Sequence, residues 1–207
     1  MKRLLISLIT TLALFVSPLP ILSDIRSIQR LTIRIDDVVG DGFCTTFSVN
    51  RKKGYWVTAA HCTGSEMPEA WHYFISGQVA TPIKIDQSMD LAIFVGPNAG
   101  ALWLRPIAPK GGELIDIVGY LHGSPFLSIF EGLLVKPDAI VVPDWWVHNA
   151  TFDTSQLDFR GTSGGPIILD GEVISVMQGW GADSEGNTIQ LGAVYEDLRA
   201  FTEGFWE

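Results

Sequence analysis

The chain has 207 residues, of which 47% are hydrophobic and 18% are charged, and its formal net charge is −9. This composition is that of a folded globular protein and excludes an intrinsically disordered one. An acidic surface repels the phosphate backbone of nucleic acids and anionic lipids. We therefore expect one folded unit whose partner is neither nucleic acid nor an anionic membrane surface, with a basic substrate weakly favoured.

The first 23 residues differ in kind from the rest of the chain. Lys2 and Arg3 precede an apolar run from Leu4 to Val16, and two prolines then interrupt any helix. A charged start followed by a short apolar run is typical of a secretory signal peptide, so we expect a secreted or periplasmic protein. Removing residues 1–23 takes away two positive charges and moves the net charge from −9 to −11. The alternative is an uncleaved membrane anchor, because residues 4–22 could just reach across a bilayer.

The chain has two cysteines, Cys44 and Cys62. It has no CxxC motif and no cluster of cysteine and histidine at zinc-ligand spacing, so we expect no metal and no other cofactor. In an exported chain the two cysteines are most simply interpreted as one disulfide, which stabilises by roughly 3 kcal/mol. Two buried free thiols are the alternative.

Most of the remaining chain is predicted to form short strands separated by turn residues. In chain order the predicted strands are 31–35, 43–49, 55–59, 72–75, 78–85, 91–95, 114–120, 132–142, 166–169, 172–177 and 189–194. Leu198, Phe201 and Phe205 lie among polar positions, a spacing that predicts a terminal helix over residues 196–206 with one apolar face. The pattern is that of an all-β protein.

A segment rich in glycine, proline and alanine, from Gly96 to Gly112, separates two halves of similar strand content. It is interpreted as a connector between two small β-barrels. We expect an N-terminal barrel over residues 24–105 and a C-terminal barrel with the terminal helix over residues 106–207, the two forming one catalytic unit.

The segment around Ser163 is the first of three that could carry chemistry. Glycines surround this serine in the sequence GTSGGP, residues 161–166, immediately before an apolar strand. Such a turn can expose the hydroxyl of a nucleophile, and the amides of Gly161 and Ser163 can face a developing oxyanion. Taken alone, the motif is more often a plain turn.

The other two segments carry a histidine and a carboxylate. His61 follows the apolar strand 55–59 and precedes Cys62, and Asp90 begins the apolar segment DLAIF. A buried carboxylate is costly unless it is paired, and an imidazole N–H is a suitable partner. These two residues are therefore candidates for a base and the group that orients it.

Together TAAHC (58–62), DLAIF (90–94) and GTSGGP (161–166), in that order, resemble the chymotrypsin-like serine proteases over residues 30–205. The resemblance is closer to the bacterial and HtrA-type branches than to the digestive trypsins. It implies an all-β fold of two perpendicular six-stranded β-barrels with a C-terminal helix and an active site between the barrels. It also implies a disulfide between Cys44 and Cys62 that braces the histidine.

The resemblance further implies a serine endopeptidase that acts on polypeptides. Ser163 would be the nucleophile, His61 the general base, Asp90 the group that orients it, and the amides of Gly161 and Ser163 the oxyanion hole. GTSGG also fits the motif of α/β-hydrolases, but those enzymes place the nucleophile before the acid and the histidine and need βαβ units. A catalytically silent protease-fold binding protein and a membrane-tethered processing protease remain as alternatives.

The sequence departs from the digestive enzymes at Thr162, where they carry an aspartate that pairs with a newly cleaved N-terminus. We therefore expect activity that needs no such cleavage. By the same resemblance the base of the substrate pocket falls at Leu157, with Asp158 one residue away, and its wall at Ser175 and Met177. Glutamyl endopeptidases carry a histidine where Met177 stands, so cleavage after glutamate is disfavoured and an apolar or small residue is the expected preference.

Overall fold

The computed structural model describes residues 25–35, 38–64, 71–121, 124–136, 139–141, 160–182 and 188–207. The strands form two closed six-stranded barrels, and a short helix, α1, follows the second barrel at Tyr195–Phe201. No helix within these ranges has the length and the apolar character needed to cross a membrane. The expected fold class is confirmed.

The first barrel is antiparallel, and β1 closes it by pairing with both β2 and β4. Its strands are β1 (Ile28–Ile35), β2 (Val38–Asn50), β3 (Tyr55–Thr58), β4 (Trp71–Ile75), β5 (Gln78–Asp86) and β6 (Leu91–Val95).

The uninterrupted apolar run of β6 is explained by burial of both faces of the strand. Successive side chains of a strand point to opposite faces. Ala92 and Phe94 pack with the cluster of the first barrel, whereas Leu91 and Ile93 pack with a cluster shared with the second barrel. Both faces of β6 are therefore buried, and the strand that begins next to Asp90 is held on both sides.

The second barrel is also antiparallel, and β7 closes it by pairing with both β8 and β10. Its strands are β7 (Glu113–Tyr120), β8 (Leu127–Lys136), β9 (Ala139–Val141), β10 (Pro166–Leu169), β11 (Glu172–Ala182) and β12 (Thr188–Gly192). The prediction of one strand over 132–142 is wrong, because β8 and β9 are separate strands that pair with each other, with Lys136 opposite Ala139. Both barrels lie within the expected ranges, and the exact domain limits remain a prediction.

The connector links the barrels through main-chain hydrogen bonds. The N–H of Leu102 donates to the carbonyl of Ser48 on β2, and Leu104 forms a bridge with Val173 on β11. Between the barrels lies an apolar cluster with side chains from both of them and from α1, including Phe47, Val118, Val176, Leu198 and Phe201. This shared layer fixes the ends of β2, β3, β6 and β11 relative to one another, which is where the candidate residues lie.

The helix α1 is shorter than the predicted 196–206, because it ends at Phe201 and a turn with Gly204 at φ +78° follows. The last residues then return to the first barrel. Lys84 donates to the carbonyl of Phe201 at 2.5 Å, and Asn50 donates to the carbonyl of Phe205 at 3.2 Å. A lysine at a helix C-terminus satisfies a free carbonyl and also opposes the helix dipole.

Candidate active site

His61 and Asp90 lie side by side because their strands do. Thr58, the last residue of β3, is opposite Ala92 of β6, so the turn after β3 and the residue before β6 meet at one end of the barrel. His61 lies in a 3₁₀ turn at Ala60–Thr63. Asp90 Oδ1 accepts a hydrogen bond from the main-chain N–H of His61 at 2.8 Å, and Asp90 Oδ2 lies 2.8 Å from His61 Nδ1.

The pairing decides which ring nitrogen of His61 carries the proton. A carboxylate can only accept, so Nδ1 donates to Asp90 and Nε2 of the neutral ring is left as an acceptor. The His61 side chain is 45% exposed, whereas that of Asp90 is 28% exposed. The histidine can therefore accept a proton at Nε2 from a neighbouring group while Asp90 holds its orientation through Nδ1.

Asp90 is held by groups from both barrels. Its φ is +51°, a left-handed conformation that aspartate tolerates better than most residues. The preceding turn is fixed by Asp86, whose Oδ1 accepts from the main chain and hydroxyl of Ser88 and from the main chain of Met89. Hydrogen bonds from the Ser88 hydroxyl and then the Met89 N–H hold the pKa of Asp86 below its usual value. From β11, Gln178 donates to the carbonyls of Met89 at 2.6 Å and Asp90 at 3.3 Å.

Cys44 and Cys62 form a disulfide, which confirms the expected pairing and rules out the free-thiol alternative. The bond joins the residue after His61 to β2, so it ties the turn that carries the histidine to the neighbouring strand. Side-chain atoms of Cys44, His61 and Cys62 lie within 4.8 Å of one another. Because the two sulfurs are bonded to each other, they are not available as ligands of a metal ion.

Ser163 lies on a tight loop that packs against the first barrel. Its carbonyl oxygen accepts a hydrogen bond from the N–H of Thr45 at 2.8 Å, and Cys62 Sγ lies 3.8 Å from the same oxygen. That sulfur carries no proton in the disulfide, so the second contact is one of packing. The loop of Ser163 is therefore in direct contact with the disulfide next to His61.

The glycines of this loop are required by close approach. Gly161 and Gly164 have φ of +92° and +81°, which side chains rarely adopt. A Cβ at Gly164 would overlap the Thr58 hydroxyl and the carbonyl of Thr45, and a Cβ at Gly161 would overlap the ring of Phe43. The GTSGG segment is thus shaped by its contact with β2 and β3 of the first barrel.

Strand β11 supports the loop from the other side. Gly164 donates to the carbonyl of Met177 at 2.6 Å, and the N–H of Met177 donates to the carbonyl of Gly165 at 2.8 Å. The side chain of Met177 is 1% exposed and packs in the second barrel, and the hydroxyl of Ser175 donates to the carbonyl of Ala193. Leu157 and Asp158 lie outside the described residues, so the substrate pocket remains a prediction.

Two residues at the site were missed by the sequence analysis. Thr45 follows Cys44, and Gln178 follows Met177, but neither belongs to a motif. Both act through hydrogen bonds to main-chain carbonyls of residues far away in the sequence. Such contacts leave no pattern in a single sequence, because the carbonyl partner is common to every residue.

Bacterial proteases of known structure share the fold of this chain. No family model matches the sequence, and no curated protein matches it. The serine endoprotease from Yersinia pestis superposes with a TM-score of 0.60 at 15% identity, over 86% of this chain and 61% of that chain. The Rv3671c protease from M. tuberculosis superposes in its active form with a TM-score of 0.57 at 16% identity, over 90% of this chain and 83% of that chain. Its inactive form gives 0.61 at 19% identity, over 90% and 92%.

This chain spans about three fifths of the Yersinia protein, and at such identities the likeness is one of fold. The resemblance drawn from TAAHC, DLAIF and GTSGGP is confirmed at that level. The chain has the fold of the bacterial chymotrypsin-like serine proteases.

Proposed function

We propose that this protein is a serine endopeptidase that hydrolyses peptide bonds through an acyl-enzyme. The observation that carries the proposal is the pairing of His61 with Asp90 beside the loop of Ser163. The pairing leaves Nε2 of His61 as an acceptor, which is what a general base for a serine hydroxyl requires.

The reaction follows from these roles. His61 takes the proton of the Ser163 hydroxyl while Ser163 Oγ attacks the substrate carbonyl carbon. The amides of Gly161 and Ser163 stabilise the negative charge that develops on the substrate carbonyl oxygen. The protonated histidine gives its proton to the leaving amine, which leaves an ester on Ser163. Water then attacks the ester with His61 again as base, and the carboxylic acid product leaves.

The substrate class and the compartment belong to the same proposal. The fold neighbours are proteases, which favours a polypeptide substrate. The Cys44–Cys62 disulfide supports a secreted or periplasmic location, because disulfides persist in oxidising compartments. Residues 1–23 would then act as the signal peptide.

The test is degradation of fluorescently labelled casein by the purified protein and by Ser163→Ala. We expect the variant to lose about 10⁴-fold or more in rate while it keeps the melting temperature of the parent. Ser76→Gly is the matched control, because it removes an exposed hydroxyl from the turn between β4 and β5, where φ is +51° and glycine fits. Activity of Ser163→Ala equal to that of the parent would refute the assignment. If the parent itself does not degrade casein, the result would instead favour a catalytically silent protease-fold binding protein.

A further inference from the structure

We propose that Thr45 is the positioning residue of the oxyanion hole, with its hydroxyl and its main-chain N–H holding the two residues that supply the oxyanion donors. This inference rests on the proposed function. It assigns a role to a residue of the first barrel that belongs to none of the three motifs.

Thr45 contacts the proposed nucleophile loop, residues 161–165, at two points. Its main-chain N–H donates to the carbonyl of Ser163 at 2.8 Å, and its hydroxyl donates to the carbonyl of Gly161 at 2.7 Å. Gly161 and Ser163 are the residues whose amides are proposed to bind the oxyanion. Each of them is therefore anchored through its own carbonyl by the same residue.

The anchor on Gly161 matters most because this residue has the greatest conformational freedom. A glycine at φ +92° has no side chain to keep it in one conformation, and rotation about its two main-chain bonds would swing its N–H away. A hydrogen bond on its carbonyl restrains the following peptide plane and so limits rotation about these two bonds. The next peptide is fixed separately, since Gly165 donates to the carbonyl of Thr162 at 2.9 Å. Because the N–H of Ser163 is trans to that carbonyl, it is directed to the opposite side.

The hydroxyl of Thr45 is itself held in one orientation. The N–H of Tyr120, at the end of β7, donates to Thr45 Oγ1 at 2.9 Å, so this oxygen accepts from the second barrel while its own proton goes to Gly161. Thr45 is fully buried, so water does not compete for these bonds. Its carbonyl also accepts from the hydroxyl of Thr58 at 2.8 Å. The disulfide at the preceding residue, Cys44, fixes the strand on which Thr45 lies.

The test compares Thr45→Val, which keeps the shape and removes the hydroxyl, with Thr45→Ser, which keeps the hydroxyl. Thr46→Val is the matched control, because Thr46 is the next residue, is equally buried, and donates its hydroxyl to the carbonyl of Val57 within the first barrel. Thr45→Val loses two buried hydrogen bonds, one to the carbonyl of Gly161 and one from the N–H of Tyr120, whereas Thr46→Val loses one. Only Thr45→Val loses a contact with the loop of Ser163. Thr45→Ala provides the same comparison with a smaller side chain if the valine variant does not fold.

The readout is the acylation of Ser163 by p-nitrophenyl acetate, measured as the burst of p-nitrophenol, because this ester needs no specificity pocket. We expect Thr45→Val to lower the acylation rate constant about 10- to 100-fold, as misplacement or loss of an oxyanion donor does. The ester concentration at half-maximal rate should change less than about twofold, because the oxyanion contact strengthens only in the transition state. Thr45→Ser should recover most of the rate.

The outcomes separate the inference from the proposed function. If the parent and Thr46→Val give the burst and Thr45→Val gives it at the same rate, the role of Thr45 is refuted while the protease assignment stands. If Thr45→Val lowers only the melting temperature, as Thr46→Val does, the residue is merely structural and the inference fails. If the parent gives no burst, the proposed function and the inference fall together.

Discussion

Asp90 accepts two hydrogen bonds from one residue, His61, and both are 2.8 Å long. One comes from the main-chain N–H of the 3₁₀ turn and the other from the ring, so the carboxylate fixes both the position of the turn and the tautomer of the imidazole. A single aspartate thereby joins the ends of β3 and β6 and leaves Nε2 of the histidine as an acceptor.

Asp90→Asn should lower acylation by p-nitrophenyl acetate by about 10⁴-fold and leave the fold intact. The asparagine amide keeps one acceptor oxygen, but an NH₂ donor replaces the other. The side chain can then no longer accept both from Nδ1–H of the His61 ring and from the main-chain N–H of His61. Asp170→Asn is the control, since Asp170 has a similar φ of +54° and is paired with Arg105 on a turn of the second barrel. Unchanged activity of Asp90→Asn would show that this pair does not orient the base.

Reduction of the disulfide should lower the melting temperature and slow catalysis together. The bond between Cys44 and Cys62 closes a short loop, so its loss should cost roughly 3 kcal/mol. It also releases the turn that carries His61 from the strand that carries Thr45. Differential scanning calorimetry and burst kinetics of the Cys44→Ser, Cys62→Ser double variant measure both effects. A variant that melts and reacts like the parent would show that the brace is dispensable.

The sequence predicted the parts of the site that depend on residue type and order. His61, Asp90 and Ser163 stood out because each combines a reactive side chain with an apolar strand or a glycine turn. The disulfide was expected from the two cysteines of an exported chain and from the family resemblance. Thr45 and Gln178 could not be found in this way. Their function depends on carbonyls that approach only when the two barrels are packed together.

The elements of the fold also divide into those that the local sequence pattern predicts and those that it does not. Strands with strong apolar runs, such as β3, β6 and β10, were placed within a residue of their bounds. The predicted strand over 132–142 merged β8 with β9 and missed the start of β8 at Leu127, where pairing with β7 rather than local pattern decides the strand. The predicted terminal helix was too long because Phe205 was assigned to its apolar face, whereas the helix ends at Phe201. Phe205 packs edge-on against Tyr55 of the first barrel after the helix has ended.

Asp116→Asn should stabilise the protein at neutral pH. Asp116 on β7 lies directly opposite Glu131 on β8, and burial, followed by the charge of Glu131, raises the pKa of Asp116 above its ordinary value of 3.8. The stabilising contribution of Asp116 to the free energy of unfolding is therefore complete below pH 3.8 and is lost as the pH rises through its raised pKa. The variant should melt about 1–3 °C higher at pH 7, and the gain should shrink towards pH 3. A variant that melts lower than the parent at pH 7 would contradict the repulsion between the two carboxylates.

Turnover should not depend on a free N-terminus. Thr162, which precedes Ser163, is 1% exposed and carries no charge, so it cannot form an ion pair with an ammonium group inserted beside it. The loop is instead held by Thr45, by Met177 and by the turn between Thr162 and Gly165. A protein that begins at Asp24 and one with an added N-terminal tag should show burst rates within about threefold of each other. A tagged protein that stays inert until the tag is removed would contradict this account.

The most direct measurement is the mass of the folded protein after treatment with diisopropyl fluorophosphate. A serine hydroxyl that is activated by His61 should add one diisopropylphosphoryl group, and peptide mapping should place it on Ser163. The same protein unfolded in guanidinium chloride should not react, nor should Ser163→Ala in its folded form. A folded parent that gains no adduct, or gains it on a serine other than Ser163, would contradict the central claim.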